Sequence, residues 1–154
     1  MCIAKMLQKV RMAIRNYTED KEDKMFRYFN RDEFACKCGC GMNEIDNSFI
    51  TLLDNARELS GKPYIITSGY RCENHPLSKQ NPTSSHIRGL AADIKCDNSE
   101  LRAYIVGGLA EVGFNRLGIA GLENGNFIHV DCDDEKPAPR IWCTNLKIII
   151  NQKK

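Results

Sequence analysis

The chain has 154 residues, 42% of them hydrophobic and 27% charged, and 22 Lys and Arg against 20 Asp and Glu leave a net charge of +2. That size and balance describe a single soluble domain with a usable core. They exclude a nucleic-acid binder that works through a strongly basic face, since no basic run interleaved with aromatics appears, and no apolar run is long enough to span a bilayer.

Residues 1–10 carry short apolar pieces broken by Lys5, Gln8 and Lys9, without the apolar stretch and small-residue cleavage site of a secretory signal. The chain is therefore expected to be cytoplasmic as synthesised. A mature domain cut from a longer secreted precursor would look the same. Ile3, Leu7, Val10 and Ile14 are spaced for a short basic helix over 3–15, and the polar stretch 18–24 reads as a linker. The expected division is an N-terminal helix and linker over 1–25 and a compact domain over 26–154.

Within that domain, Asp46 is placed to cap a helix running to Leu59, with Ile50, Leu53, Ala56 and Leu59 as its buried stripe and Gly61 as its stop. Residues 63–67 read as a short buried strand, and 68–85, rich in Ser, Asn, Pro and Gly, as a long loop that is either functional or disordered. Residues 90–95 form a second strand. Asn98 or Ser99 caps a second helix with Leu101, Ile105, Leu109 and Val112 along one face; Gly107 and Gly108 weaken it but allow close packing. Two strands over 116–120 and 126–131, joined by the turn 121–125, read as a hairpin. Trp142 and the run Ile148-Ile149-Ile150 would add an edge strand or pack onto the sheet. The sum is an α+β fold, a small antiparallel or mixed sheet with helices packed on it.

Eight cysteines are many for this length: Cys2, Cys36, Cys38, Cys40, Cys72, Cys96, Cys132 and Cys143. Cys36, Cys38 and Cys40 crowd into one pentapeptide, and with Cys72 they could form a structural metal site; disulfides in an oxidising compartment and plain thiols are the alternatives. Their spacing departs from the usual zinc-ribbon pattern. Cys96 and Cys132, just beyond expected strands, read as core thiols, and His75, followed by Pro76, reads as a surface histidine.

His86 and Asp93 are separated by small residues, and His129 lies inside the apolar strand Phe127-Ile128-His129-Val130-Asp131. Two imidazoles and a carboxylate are a donor set suited to catalytic zinc, which keeps a fourth position open for water or substrate. Strand periodicity puts Phe127, His129 and Asp131 on one face and Ile128 and Val130 on the other. Taken singly, a strand histidine can be an ordinary hydrogen-bonded residue, and Asp93 a turn or cap residue.

The pattern Ser84-x-His86-x-x-Gly89-x-Ala91-x-Asp93, preceded by Ser68-Gly69-Tyr70-Arg71 and followed by Phe127-Ile128-His129-Val130-Asp131, resembles the zinc D-alanyl-D-alanine carboxypeptidase family, which shares its fold with the hedgehog signalling domain and includes phage-lysin-like peptidases. The resemblance covers roughly residues 27 to 143, and its three motifs occur in the family's order. It implies Zn2+ as cofactor, held by His86, Asp93 and His129, and peptidoglycan stem peptide as substrate, with action at the cell wall after export or lysis. Charge and hydropathy add the expectation of no nucleic-acid or membrane partner, and the chain is expected to be a monomer. It implies that Arg71 and Ser84 grip the substrate, a guanidinium being suited both to a carboxylate and to a developing oxyanion. Relatives also share a Phe-x-Cys-x-Cys-Gly-Cys segment. Where many relatives carry Glu or Asp three residues before the last ligand, this chain has Asn126, which cannot take a proton. Asp131 and Glu123 are then the candidate catalytic carboxylates, with Asp131 alternatively an orienter of His129. Asn126 also leaves room for a different class of protein, a zinc-containing cell-wall or protein-binding module without turnover.

Overall fold

The side chain of Asp46 accepts a hydrogen bond from the Phe49 N–H at 3.0 Å and so starts helix α1, Asn47–Ser60, which ends at Gly61. This is a computed structural model, and it describes residues 25–120 and 126–144. The expected N-terminal helix and linker, the 121–125 turn with Glu123, Cys2 and the run Ile148-Ile149-Ile150 lie outside the described residues. Ile50, Leu53 and Ala56 are fully buried, but Leu59 is 49% exposed, against expectation. A period of 3.6 runs the buried stripe through Phe49, Leu53, Ala56 and then Ser60, which leaves Leu59 to one side.

Helix α2, Pro76–Gln80, sits inside the stretch read as loop. The His75 ring caps it, its Nδ1 accepting from the Leu77 N–H at 3.1 Å, with Pro76 in the first turn. Helix α3, Ser99–Glu111, is capped by the Asn98 side chain, which accepts from the Leu101 N–H at 2.8 Å. α3 packs against α1, and Gly108 makes that contact close: a Cβ there would stand 2.6 Å from the Ala56 carbonyl oxygen. Tyr64 seals the junction by donating its hydroxyl proton toward the Ala56 and Ile105 carbonyls, at 3.2 and 3.3 Å.

The five strands among the described residues are β1 (Ile66–Ser68), β2 (Ala91–Lys95), β3 (Arg116–Ala120), β4 (Phe127–Asp131) and β5 (Arg140–Thr144), in the spatial order β1-β2-β4-β3-β5. All neighbours are antiparallel except β3 and β5, which are parallel. β1 starts later than the sequence suggests and carries a bulge between Ile66 and Ser68. One sheet face meets the helices through Ala92, Ile94, Ile128, Val130 and Leu117, all at most 1% exposed. Phe26, Phe29 and Phe34 close the end of this core, and the Arg27 and Tyr28 N–H groups donate to the buried Asp54 carboxylate on α1. The fold is α+β. None of the described helices is long and apolar enough to cross a membrane.

Cys96 is fully buried, as expected of a core thiol. Cys132 is exposed and is not one. It follows Asp131 out of β4, and strand alternation turns its side chain away from the two buried aspartates on either side of it.

Candidate metal centre

The other face of the sheet carries the site, and register assembles it. Asp93 on β2 pairs with His129 on β4, which pairs with Gly118 on β3; Asp131 pairs with Ala91 on one side and Arg116 on the other. Ala91 and Gly118 fill little space, so the larger side chains beside them meet over the sheet. Gly118 is also in register with Trp142 on β5, and with no side chain between them the indole reaches the His129 ring at 5.7 Å between centroids.

His86 arrives from the loop before β2. Its backbone carbonyl accepts from the Arg71 and Gly89 N–H groups at 3.1 and 3.3 Å. Gly89 has φ +69, and a Cβ there would lie 2.1 Å from the Glu44 carbonyl oxygen, so the turn between His86 and β2 admits only glycine. The His86 ring is buried and donates its Nδ1 proton to the Gly69 carbonyl at 2.6 Å. That leaves the Nε2 lone pair facing Asp93 Oδ1 and His129 Nδ1, each at 3.3 Å. His129 Nδ1 lies 2.9 Å from the same Asp93 oxygen, and its Nε2 lies 3.0 Å from Asp131 Oδ2. His86, Asp93 and His129 thus offer donor atoms that all lie within 4.8 Å of one another.

The electrostatics follow from this crowding. Burial lowers the His86 pKa, keeping the ring neutral and its lone pair available. Burial pushes Asp93 up, but the His129 and His86 rings packed against it outweigh burial and hold the carboxylate well below its usual range. Burial raises Asp131 too, and hydrogen bonds from His129 and Arg116 bring it below normal. His129 moves the other way: burial lowers it, yet hydrogen bonds to Asp131 and Asp93 raise it overall. The donor set fits a divalent metal. Each imidazole has one nitrogen already anchored on protein and the other aimed at a common point shared with an ionised carboxylate.

Arg71 stands against this group. Its Nη2 donates to Asp93 Oδ2 at 2.8 Å and its Nε to Ser68 Oγ at 2.9 Å. Ser84 is buried beside it, and both line a 390 Å³ cavity with His86, Asp93, His129 and Asp131. Asp131 is 1% exposed, and its Oδ1 accepts from Arg116 Nε at 2.7 Å and from the Asp133 N–H at 3.2 Å. Arg116 also donates to the Pro137 carbonyl and lies over the Trp142 ring. Sequence reasoning missed Arg116 and saw Trp142 only as sheet. The signal available was an arginine opening an apolar strand, and only the register shows that it faces Asp131. Asn126 enters β4 at φ 46, and its side-chain oxygen is buried without a partner among the described residues. Glu123 lies outside the described residues. Cys36, Cys38, Cys40 and Cys72 gather in a separate cluster.

A sheet that presents a histidine and an aspartate, joined by a second histidine from the loop before β2, to one cavity has the donor arrangement of a metallohydrolase site. The Peptidase M15 family model matches residues 27–131, and the chain belongs to that family. No curated protein matches it.

Proposed function

We propose that this peptidase is zinc-dependent and cuts the stem peptide of peptidoglycan, at the D-Ala-D-Ala end or, as the close variant, at an internal bond of the kind phage lysins cleave. The observation that carries this reading is the convergence of His86 Nε2, Asp93 Oδ1 and His129 Nδ1 in a cavity that Arg71 also lines. A zinc ion held by the three residues supplies Lewis acidity to water and to the scissile carbonyl.

The rest falls to the chain's own groups. Gly69 and Asp131 hold the two imidazoles in the tautomers that keep Nε2 of His86 and Nδ1 of His129 free of protons. Arg71 pairs with Asp93 at 2.8 Å, and its remaining N–H donors, with the Ser84 hydroxyl, would take a substrate carboxylate or carbonyl. Arg116 lines the same cavity paired with Asp131, and Lys136 lines it with its Nζ 3.8 Å from Asp133 Oδ2. Asp131 spends its oxygens on His129, Arg116 and the Asp133 N–H, so in this reading it positions His129 and takes no proton from water. Proton transfer then falls to Glu123.

The test is release of D-Ala from a synthetic stem pentapeptide by zinc-loaded protein, abolished by chelator and by His129→Ala. Asn126, at the position where an acid would serve, favours the second reading, a binding module without turnover. Full zinc occupancy with no cleavage of the pentapeptide or of an L-Ala-D-Glu-containing stem would establish the module and sink the enzyme.

A further inference from the structure

Cys36, Cys38 and Cys40 lie in the loop after a 3-10 turn, Arg31–Phe34, and Cys72 follows Arg71 beyond β1. Cys38 Sγ is 3.4 Å from Cys36 Sγ and 3.5 Å from Cys72 Sγ, and all four sulfurs lie within 4.8 Å of one another. A disulfide needs about 2.05 Å between paired sulfurs. A tetrahedral zinc with bonds of about 2.3 Å separates its four sulfurs by roughly 3.8 Å. The observed spacing is that of four ligands around one centre.

The burial pattern adds a second reason. Cys36 and Cys72 are buried, whereas Cys38 and Cys40 are exposed. Packing gives exposed thiols no reason to turn toward a buried pair, and metal ligation does. The backbone is also arranged for thiolates. The Cys72 N–H donates to Cys36 Sγ and the Met42 N–H to Cys40 Sγ, each at 3.4 Å, and such donors stabilise negative sulfur. The loop bends back through Gly39 and Gly41, at φ +88 and +72, and the Cys36 N–H closes it on the Met42 carbonyl at 2.9 Å.

We propose that Cys36, Cys38, Cys40 and Cys72 bind a second zinc ion, structural in role and separate from the His86, Asp93 and His129 group. Four thiolates leave no open position, so this ion takes no part in hydrolysis. It ties the loop 35–42 to the segment that carries Arg71, next to the backbone bond from the Tyr70 N–H to the Phe34 carbonyl at 2.8 Å. The site stands whether or not the peptidase reading does.

The test is metal counting and cobalt substitution on the full chain purified under reducing conditions. Wild type is expected to hold two metals, and its cobalt form to show the intense near-ultraviolet sulfur-to-cobalt charge-transfer band of a tetrathiolate. His86→Ala/His129→Ala, which removes the first site, should keep one metal and that band. Cys38→Ser/Cys40→Ser should lose the band and keep one metal. If that last variant fails to fold, the wild-type and double-histidine spectra decide. A cobalt form of either that lacks the thiolate band overturns the proposal, as does a Cys36–Cys72 disulfide mapped in the isolated protein.

Discussion

Asp131→Asn separates the two roles this carboxylate could have. The asparagine keeps the shape and one acceptor oxygen, which can still take the Arg116 Nε proton now donated at 2.7 Å. Its amide group then faces His129 Nε2, where Asp131 Oδ2 sits at 3.0 Å. Two donors cannot share that contact, so the ring is driven to carry its proton on Nδ1, the nitrogen that points at Asp93 and His86. Loss of such an orienting carboxylate costs about 10- to 100-fold in metal affinity. The metal-free fold should also lose about 3 kcal/mol, the low end for breaking a buried pair, because Arg116 and Asp131 side chains are only 7% and 1% exposed and the amide oxygen still accepts. Zinc competition against a chromophoric chelator and urea unfolding of the metal-free protein measure the two quantities. If the variant binds zinc within about threefold of wild type while hydrolysis collapses, Asp131 reacts with substrate water and the positioning role is wrong.

Three further outcomes are expected. Glu123→Gln should lower kcat by about 100- to 10,000-fold with zinc content unchanged, and a variant as active as wild type removes Glu123 from proton transfer. Gly89→Ala should destabilise the protein by about 2–5 kcal/mol, combining left-handed backbone strain with a Cβ only 2.1 Å from the Glu44 carbonyl oxygen; a loss under about 1 kcal/mol in urea unfolding contradicts that geometry. Zinc affinity should fall as pH drops through the raised pKa of His129. Burial lowers that pKa, but hydrogen bonds to Asp131 and Asp93 lift it above its ordinary 6.5, and its proton must leave before Nδ1 can bind metal. His86, held below its ordinary value by burial, adds no competition near neutrality. A titration by isothermal calorimetry that is flat from pH 8 to about 5.5 refutes the assignment.

Local chemistry was legible wherever a residue acts on its near neighbours. Asp46 and Asn98 cap their helices as short polar residues ahead of apolar periodicity should, and Gly61 ends α1. The alternation in β4 sends His129 and Asp131 to one face and Ile128 and Val130 to the core. The short helix α2 escaped notice because five residues carry no amphipathic period, and its start signal was a histidine that caps with a ring nitrogen. Leu59 misled because a stripe counted in threes drifts off a 3.6-residue period.

The site divides along the same line. His86, Asp93 and His129 could be picked out by type and motif, since a metal demands particular donor atoms. That Arg71 bonds Asp93, that Arg116 bonds Asp131, and that Trp142 reaches His129 across Gly118 depended on strand register between segments far apart in the chain. The four cysteines show it most simply. Three of them must sit close together, because single residues separate them along the chain. Cys72 could be named beside them as a candidate, but its meeting with them is a matter of packing between loops, which no spacing along the chain encodes.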